Sequence, residues 1–380
     1  MHIAINNRDA VLSQGLRRSD VVFVVNGSPE SAMGHRAREM ASRINGFDIH
    51  IAYRSRRKVI SILRLIILLI RIHPAVTYVF DISYSGIAAA VFYKLIFRNP
   101  LIVETGDAIT ELVRSTGSRG HVGLWLTHLL ESLSIHIADQ MVVRGSFHKE
   151  LLARDGVKAE VIQDGVDLAR FTPADEVDLR EKYGFENAIT IGLVGTSIWS
   201  EKLQNCYGWE LVEVVRLLKD KPVRGIMIGD GSGITHLKSR CREYGIEDRV
   251  VFLGRLPYED LPRYLPLIDI CLSTQTNDVV GKVRTTGKLP LYLASGRYIL
   301  ATNVGEAARV LPKEMLIDFD GSADLIYPHK LKARIEEILD DPKILARGKT
   351  NIALTNEKFD YSVLAEKMRG VIQNALQTEA

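Results

Sequence analysis

The stretch AITIGLVGT, residues 188–196, decides the reading of this chain. It is a short, β-branched apolar run that ends in glycine, and it follows FTPADEVDLREKYGFENA, a charged segment with proline at 173. Such a run reads as a strand of a buried parallel sheet, which is covered on both faces and needs a turn at its exit. Downstream the same beat recurs in VRGIMIGDGSG (223–233), RVVFLGRLP (249–257), LIDICLST (267–274), RYILATNVG (297–305) and EMLIDFDG (314–321). Upstream it occurs in VVFVVNG (21–27), DIHIAY (48–53), AVTYVFD (75–81), LIVETGD (101–107), QMVVRGS (140–146) and AEVIQDG (159–165). Helical patterns at 34–44, 58–72, 84–97, 121–137 and 147–154 fall between the upstream strands, which implies βαβ crossovers and a doubly wound sheet. Because the alternation restarts at 188, two Rossmann-like domains are expected, one over 1–174 and one over 175–357. Helical patterns at 328–340 and 343–356 lead to a last helix within 358–378. There Leu364, Met368, Val371 and Ile372 recur at helical spacing, a face expected to pack back on the first domain.

The bulk numbers agree. A chain of 380 residues suits two ordinary cores, and 46% hydrophobic with 25% charged residues is a globular composition. A net charge of +3 provides no global field for nucleic acid. Cys206, Cys241 and Cys271 are odd in number and form no C-x-x-C pair, which argues against a disulfide framework or structural zinc and for a reducing cytosol. The first 18 residues lack an apolar core of the secretory kind and read as a loose leader. Val59 to Ile70 is apolar for 12 residues with Arg64 inside it, well short of the roughly 20 needed to span a bilayer. Joined to the basic cluster at 54–58, it is either a buried core helix with a basic start or a peripheral contact with the inner membrane.

Glycines at strand exits mark where a ligand could approach. IGDGSG (228–233) puts backbone amides and a helix start at one such exit, as an anion site would, although a tight βα turn needs the same glycines. Asp318 and Asp320 in LIDFDG spell a D-x-D pair of the metal-holding type, but their late position favours a solvated acidic turn. His121, His128 and His136 lie near one helical face at spacings too wide for chelation.

The order of these segments resembles the family 4 retaining glycosyltransferases, which have the GT-B fold. The pieces that carry the resemblance are VIQDGVDLARFTP (161–173), IGLVGTSIWSEKL, CYGWELVEVVRLL, IMIGDGSG, DRVVFLGRLPYEDLPRYLPLIDICL and GKLPLYLASGRYILATNVGE, in register. The resemblance implies two Rossmann-like domains facing across a cleft and a metal-independent, retaining transfer of a sugar from a nucleotide-sugar donor to a glycan or lipid-linked hydroxyl. No cofactor is implied. It places Lys202 and Lys288 as donor-phosphate cations, with Arg284 as a third, and puts Gly34, Thr196, Gly254, Arg255, Leu256, Thr286, Gly287 and Leu289 along the donor. On the acceptor side it places Ser31, His35, Arg36 and Asp107, the last as a weak general base or a helix cap, with Gly106 where the family often has histidine. One departure stands out. Val283 and Leu291 occupy the places of two glutamates, the second of which normally holds the ribose, and neither side chain can accept a hydrogen bond. A sugar-nucleotide epimerase on the same fold, or a silent GT-B subunit that binds a partner, are the alternatives.

Overall fold

The computed structural model describes residues 19–377 except 56, 172–176 and 286. Among these the chain divides into two compact units, one running up to Gly165 and taking in the segment from Tyr361, the other Val166–Asp360.

The first unit runs β1 (Ser19–Val25), α1 (Ala32–Ala41), β2 (Phe47–Tyr53), α2 (Lys58–Ile72), β3 (Val76–Phe80), α3 (Tyr84–Phe97), β4 (Leu101–Thr105), α4 (Ile109–Thr116), α5 (His121–Ile137), β5 (Gln140–Val143), α6 (Ser146–Arg154) and β6 (Ala159–Val161). The second runs α7 (Val177–Tyr183), β7 (Ile189–Val194), α8 (Trp209–Leu217), β8 (Val223–Ile228), α9 (Gly233–Tyr244), β9 (Val250–Gly254), α10 (Leu261–Tyr264), β10 (Ile270–Ser273), α11 (Val279–Val283), α12 (Lys288–Ala294), β11 (Tyr298–Thr302), α13 (Ala307–Val310), β12 (Leu316–Ile317), α14 (Tyr327–Asp340) and α15 (Asn351–Lys358). The last helix, α16 (Tyr361–Gln377), returns to the first unit.

Each unit holds one six-stranded sheet, ordered β2-β1-β3-β4-β5-β6 and β12-β11-β10-β7-β8-β9, and every strand pair in both is parallel. In the first sheet, alternate residues feed opposite cores. Val21, Phe23 and Val25 of β1 pack with α1 and with Leu364, Met368 and Ile372 of α16, whereas Val22 and Val24 pack with Leu65 and Leu69 of α2 and Ile87, Ala90 and Tyr93 of α3.

The chain passes between units at 165/166 and 360/361, not at the proline-bearing segment near 174. The reason is local pairing. The Val166 N–H donates to Phe359 O at 2.9 Å and the Leu168 N–H to Asp360 Oδ2 at 3.1 Å, which ties 166–168 to the second unit. The helix expected over 343–356 is also shorter. Pro342–Thr350 is a 3-10 run that gives way to α15. Gly348 presses on the backbone of Arg297, where an added Cβ would lie 2.5 Å from the carbonyl carbon, and Asn351 Nδ2 donates to Arg297 O at 3.1 Å.

The glycines of IGDGSG serve packing. Gly229 (φ +146°) and Gly231 (φ +125°) face the turn that leaves β7, and a Cβ would stand 1.9 Å from Gly195 O and 2.1 Å from Ser197 O. Amides are used in the same contact: Gly195 N–H donates to Ile228 O, Ser197 N–H to Asp230 O and Gly233 N–H to Ser197 O, while Gly229 N–H donates to Gly254 O at the end of β9. Of the two readings of this motif, the tight packing contact is therefore built. Gly231→Ala should cost at least about 2 kcal/mol, by backbone strain plus the clash with Ser197 O. Gly117→Ala, also at positive φ (+62°) but with nothing within 4 Å of the added Cβ, should cost about 1 kcal/mol. Urea unfolding of the two variants checks the difference.

Candidate functional site

In a parallel sheet the strand exits collect along one edge, and each unit carries a cluster of polar side chains there. In the second unit the cluster is built on Lys288, the first residue of α12. Its ammonium donates to Tyr207 Oη at 2.5 Å and lies 3.8 Å from the centre of that ring. Tyr207 is hydrogen-bonded to Tyr292, whose Oη accepts the Val194 N–H at 2.7 Å at the exit of β7. Glu210, in the first turn of α8, folds Oε2 back on the Gly208 N–H at 3.1 Å, and its Oε1 is buried, with the Thr274 hydroxyl beside the carboxylate. Burial holds the Lys288 ammonium well below the ordinary lysine range, against the pull of Glu210 and with the help of Arg284. Burial also raises the Glu210 carboxyl. A cation held in this way is poised to gain charge when an anion arrives.

The other residues expected along a donor are distributed around this cluster. Arg284, the C-cap of α11, acts electrostatically on Lys288. Lys202 and Thr196 are exposed in the loop after β7, which closes through a Ser200 N–H to Asn205 O bond at 2.9 Å and a Trp199 ring stacked 3.8 Å from His236. Gly254 is at φ +73°, its carbonyl taken by Gly229, with Arg255 exposed beyond it and Leu256 packed against the core. Gly287 is exposed at an ordinary φ of −56°. Leu289 is a correction: its side chain belongs to the core. Val283 and Leu291 are buried as well, so the positions where carboxylates were expected point inward. Thr286 lies outside the described residues. Asp278 is spent on local structure, its Oδ1 accepting from Gly281 N–H and Thr276 Oγ1, each at 2.9 Å.

In the first unit the cluster centres on Glu104, fully buried in β4. Its Oε1 accepts from Arg36 Nε at 2.9 Å and its Oε2 from Tyr78 Oη at 2.7 Å. Arg36 donates further to Gln163 O at 2.6 Å and Ile162 O at 2.9 Å. This corrects the expectation that Arg36 reaches a substrate: its guanidinium joins α1 to β4 and to the exit of β6. Arg144, at the exit of β5, ion-pairs with Asp81 and lies 3.5 Å from Asp164. A Cβ on Gly106 would stand 2.2 Å from Arg144 Nε, so the guanidinium occupies the place where the family often has histidine. Asp107 does not cap α4. That role falls to Glu131 of α5, whose carboxylate accepts the Ile109 and Thr110 N–H groups at 2.7 and 2.9 Å. Asp107 instead stands in the field of Arg144 and of His148, a buried imidazole pushed down to about 4 by burial, with Asp107 opposing and Arg144 adding. Gly34 is required by its own loop, since a Cβ would lie 2.3 Å from Ser28 O, and Ser31 Oγ caps α1 by accepting the Gly34 N–H at 3.1 Å. His35 sits 3.8 Å from Glu39 on the same helix and packs edge-on to Tyr361.

Asp318 and Asp320 are held by local side-chain contacts. Asp318 Oδ1 accepts from Asn303 Nδ2 at 2.9 Å and Asp320 Oδ2 from Lys330 Nζ at 3.0 Å. No group of histidine, cysteine and acidic side chains able to hold a metal ion occurs among the described residues.

Comparison with known proteins agrees with this architecture. The chain is similar to an Anabaena protein, Alr3699/HepE, solved in complex with UDP-glucose, at a TM-score of 0.72 and 16% identity, covering 95% of this chain and 100% of that one. The chain has the GT-B fold. Residues 190–341, all within the second unit, match the family model described as "Glycosyl transferases group 1". Among curated relatives, it is 26% identical to the GDP-mannose-dependent monoacylated alpha-(1-6)-phosphatidylinositol monomannoside mannosyltransferase of Corynebacterium glutamicum, over 57% of this chain and 56% of that protein. It is 27% identical to the 2-deoxystreptamine glucosyltransferase of Streptomyces kanamyceticus, over 48% of this chain and 46% of that protein. The chain thus spans about half the length of the curated relatives it matches.

His148 yields a test of the first cluster. Its pKa in the folded state is below the unfolded value of about 6.5, so the unfolded chain binds the extra proton and stability falls as pH drops through the window from 6.5 towards 4. The loss from this one group should reach roughly 3 kcal/mol. His148→Gln should show a flatter decline in urea unfolding between pH 7 and pH 4.5.

Proposed function

We propose that this GT-B chain is a glycosyltransferase that moves a sugar from a nucleotide-sugar donor to a hydroxyl of a glycan or lipid-linked glycan, without metal and with retention of configuration. The observation that carries the reading is the half-buried Lys288 at the start of α12, at the strand-exit edge of the unit that matches the group 1 model. In the reaction the acceptor oxygen bonds to the sugar's anomeric carbon as the bond to the diphosphate breaks. The acceptor proton passes to an oxygen of the departing diphosphate, on which negative charge grows as its bond to the sugar breaks. Cations held ready at that position lower the barrier because the protein need not reorganise to meet the charge. Lys288, Arg284 and Lys202 are the groups proposed for this, with the amides and carbonyls near Gly254 and Arg255 along the base. Asp107, with Arg144 and His148 beside it, is proposed on the acceptor side.

An epimerase would need carboxylates converging on the sugar near 277–296, and the acid there, Asp278, is committed to capping α11. A silent subunit is separated by binding itself: with Val283 and Leu291 inside the core, a chain that holds no donor would show no thermal shift with any of the UDP, GDP, ADP, CMP or dTDP sugars.

Lys288→Ala should lower kcat/KM for the nucleotide sugar about 100-fold or more, and Lys202→Ala by a smaller factor, as expected for removal of charges that act on the leaving group. Unchanged turnover in both would remove these roles.

The Lys288 ammonium supplies a second test. Because its pKa is depressed, the charged form is lost at lower pH than for an exposed lysine, and an arriving diphosphate must restore it. Nucleotide affinity of the wild type should fall as pH rises from 6.5 to 9, with proton uptake in calorimetry, whereas Lys288→Ala should bind more weakly and without that slope.

A further inference from the structure

The second unit has a hollow of about 600 Å³ on the edge of its sheet opposite the Lys288 cluster. Asp269 and Arg297, which line it, directly precede β10 and β11, so it lies where strands enter the parallel sheet and not at the exits where ligands of such sheets usually sit. Helix α12 joins the two edges. Lys288 begins it, and Ala294, Ser295 and Gly296 at its end line the hollow. The volume falls within the range of small-molecule sites, about 300–1,000 Å³. The apolar wall has three sources: Pro262 in α10 with Pro266 just after it, Leu345 and Ala346 of the 3-10 run, and Ile352 of α15. Close packing holds these walls in place. Gly348 and Asn351 press on the backbone of Arg297, and a Cβ on Gly296 (φ +63°) would stand 2.9 Å from Ile352 Cδ1.

The polar groups of the lining select the ligand. Ser295 donates its hydroxyl to Tyr292 O at 2.8 Å and Tyr298 its hydroxyl to Glu314 O at 2.9 Å, so both serve the fold. Among the described residues Asp269 is the one acid of the lining, and its carboxylate is answered from outside the hollow. Its Oδ2 accepts from the Thr190 N–H at 2.8 Å and from Arg180 Nη2 at 3.2 Å. Arg297 Nη1 approaches the other oxygen only to 3.8 Å. Two cations of the lining, Arg297 and Lys349, therefore stand with one acid whose charge Arg180 already balances, and the hollow is net positive. A neutral ligand would leave that charge unanswered, and a bare inorganic ion would leave the apolar wall in water. An organic anion with an aromatic or aliphatic body meets both.

We propose that this hollow binds a small amphipathic organic anion, its carboxylate, sulfonate or phosphate head at Arg297 and Lys349 and its apolar body against Pro262, Pro266 and Ile352. The site is separate from the donor edge of the same unit. The inference does not rest on the chemistry proposed at Lys288.

Fluorescence titration of the full chain with 8-anilinonaphthalene-1-sulfonate, an anionic aromatic dye, tests it. The signal should contain a saturable component that Ala346→Trp, which fills the hollow from an exposed position, weakens about tenfold or more. Lys349→Glu, also at an exposed position, should weaken the same component about fivefold, the upper range for an ion pair open to solvent. Thermal melts check that both variants fold. The uncharged counterpart of the dye, N-phenyl-1-naphthylamine, should bind that component about tenfold more weakly, because it lacks the charged head. Phenyl phosphate and 4-phenylbutyrate should displace the dye, and the one that does so at the lower concentration identifies the head group. Lys288→Ala should bind the dye like the wild type. Dye binding unchanged in both Ala346→Trp and Lys349→Glu would overturn the proposal, as would equal binding of the uncharged dye. Loss of the component in Lys288→Ala would place the dye at the donor edge and overturn it as well.

Discussion

Where β7 and β8 leave their sheet, backbone packs directly on backbone, and the second unit is arranged around that contact. With carbonyl oxygens about 2 Å from where a Cβ would sit on Gly229 and Gly231, no side chain can separate the two turns. Three amide-to-carbonyl bonds then hold the turns together, and a fourth, from the Gly229 N–H to Gly254 O, ties them to the end of β9. The start of the loop that carries Thr196 and Lys202 is thereby fixed against the start of α9, and Tyr207, Glu210 and Lys288 meet beside it, between α8 and α12. Desolvation in that place explains why the lysine is poised between charge states instead of permanently ionised.

The first unit solves a different problem with the same sheet. A carboxylate with no exposure, Glu104, is tolerable only because Arg36 and Tyr78 hydrogen-bond both of its oxygens. Those partners come from α1 and β3, and Arg36 reaches on to the exit of β6, so the network fixes the strand exits relative to one another. Arg144 extends it to Asp81 and Asp164 and fills the space beside Gly106. The edge of this sheet is thus rigid and charged, with Asp107 and His148 as its polar margin.

Strand after strand was legible in the sequence, because a buried parallel strand must be a continuous apolar run with a turn behind it, and α2, α3 and α5 have the limits that their periodicity sets. The segments of the second half that carried the resemblance, from IGLVGTSIWSEKL on, lie largely within the stretch 190–341 that matches a family model. What sequence could not supply was which neighbours share a space. Lys288 could be named from its place in GKLP, but not its partners Tyr207 and Glu210, some 80 residues earlier. Arg36 read as a ligand contact and Leu289 as a donor neighbour, because a one-dimensional pattern does not reveal that one guanidinium meets Glu104 and that the other side chain faces the core. The glycines of IGDGSG read equally as phosphate loop or turn, and only the approach of residues 195–197 revealed the contact that the turn makes. Local backbone preference and hydrophobic period are properties of neighbouring residues, so the sequence by itself determined the elements and their order. Desolvation, charge pairing and steric exclusion arise between residues far apart in the chain, so only the tertiary structure decided which polar groups are spent and which remain for chemistry.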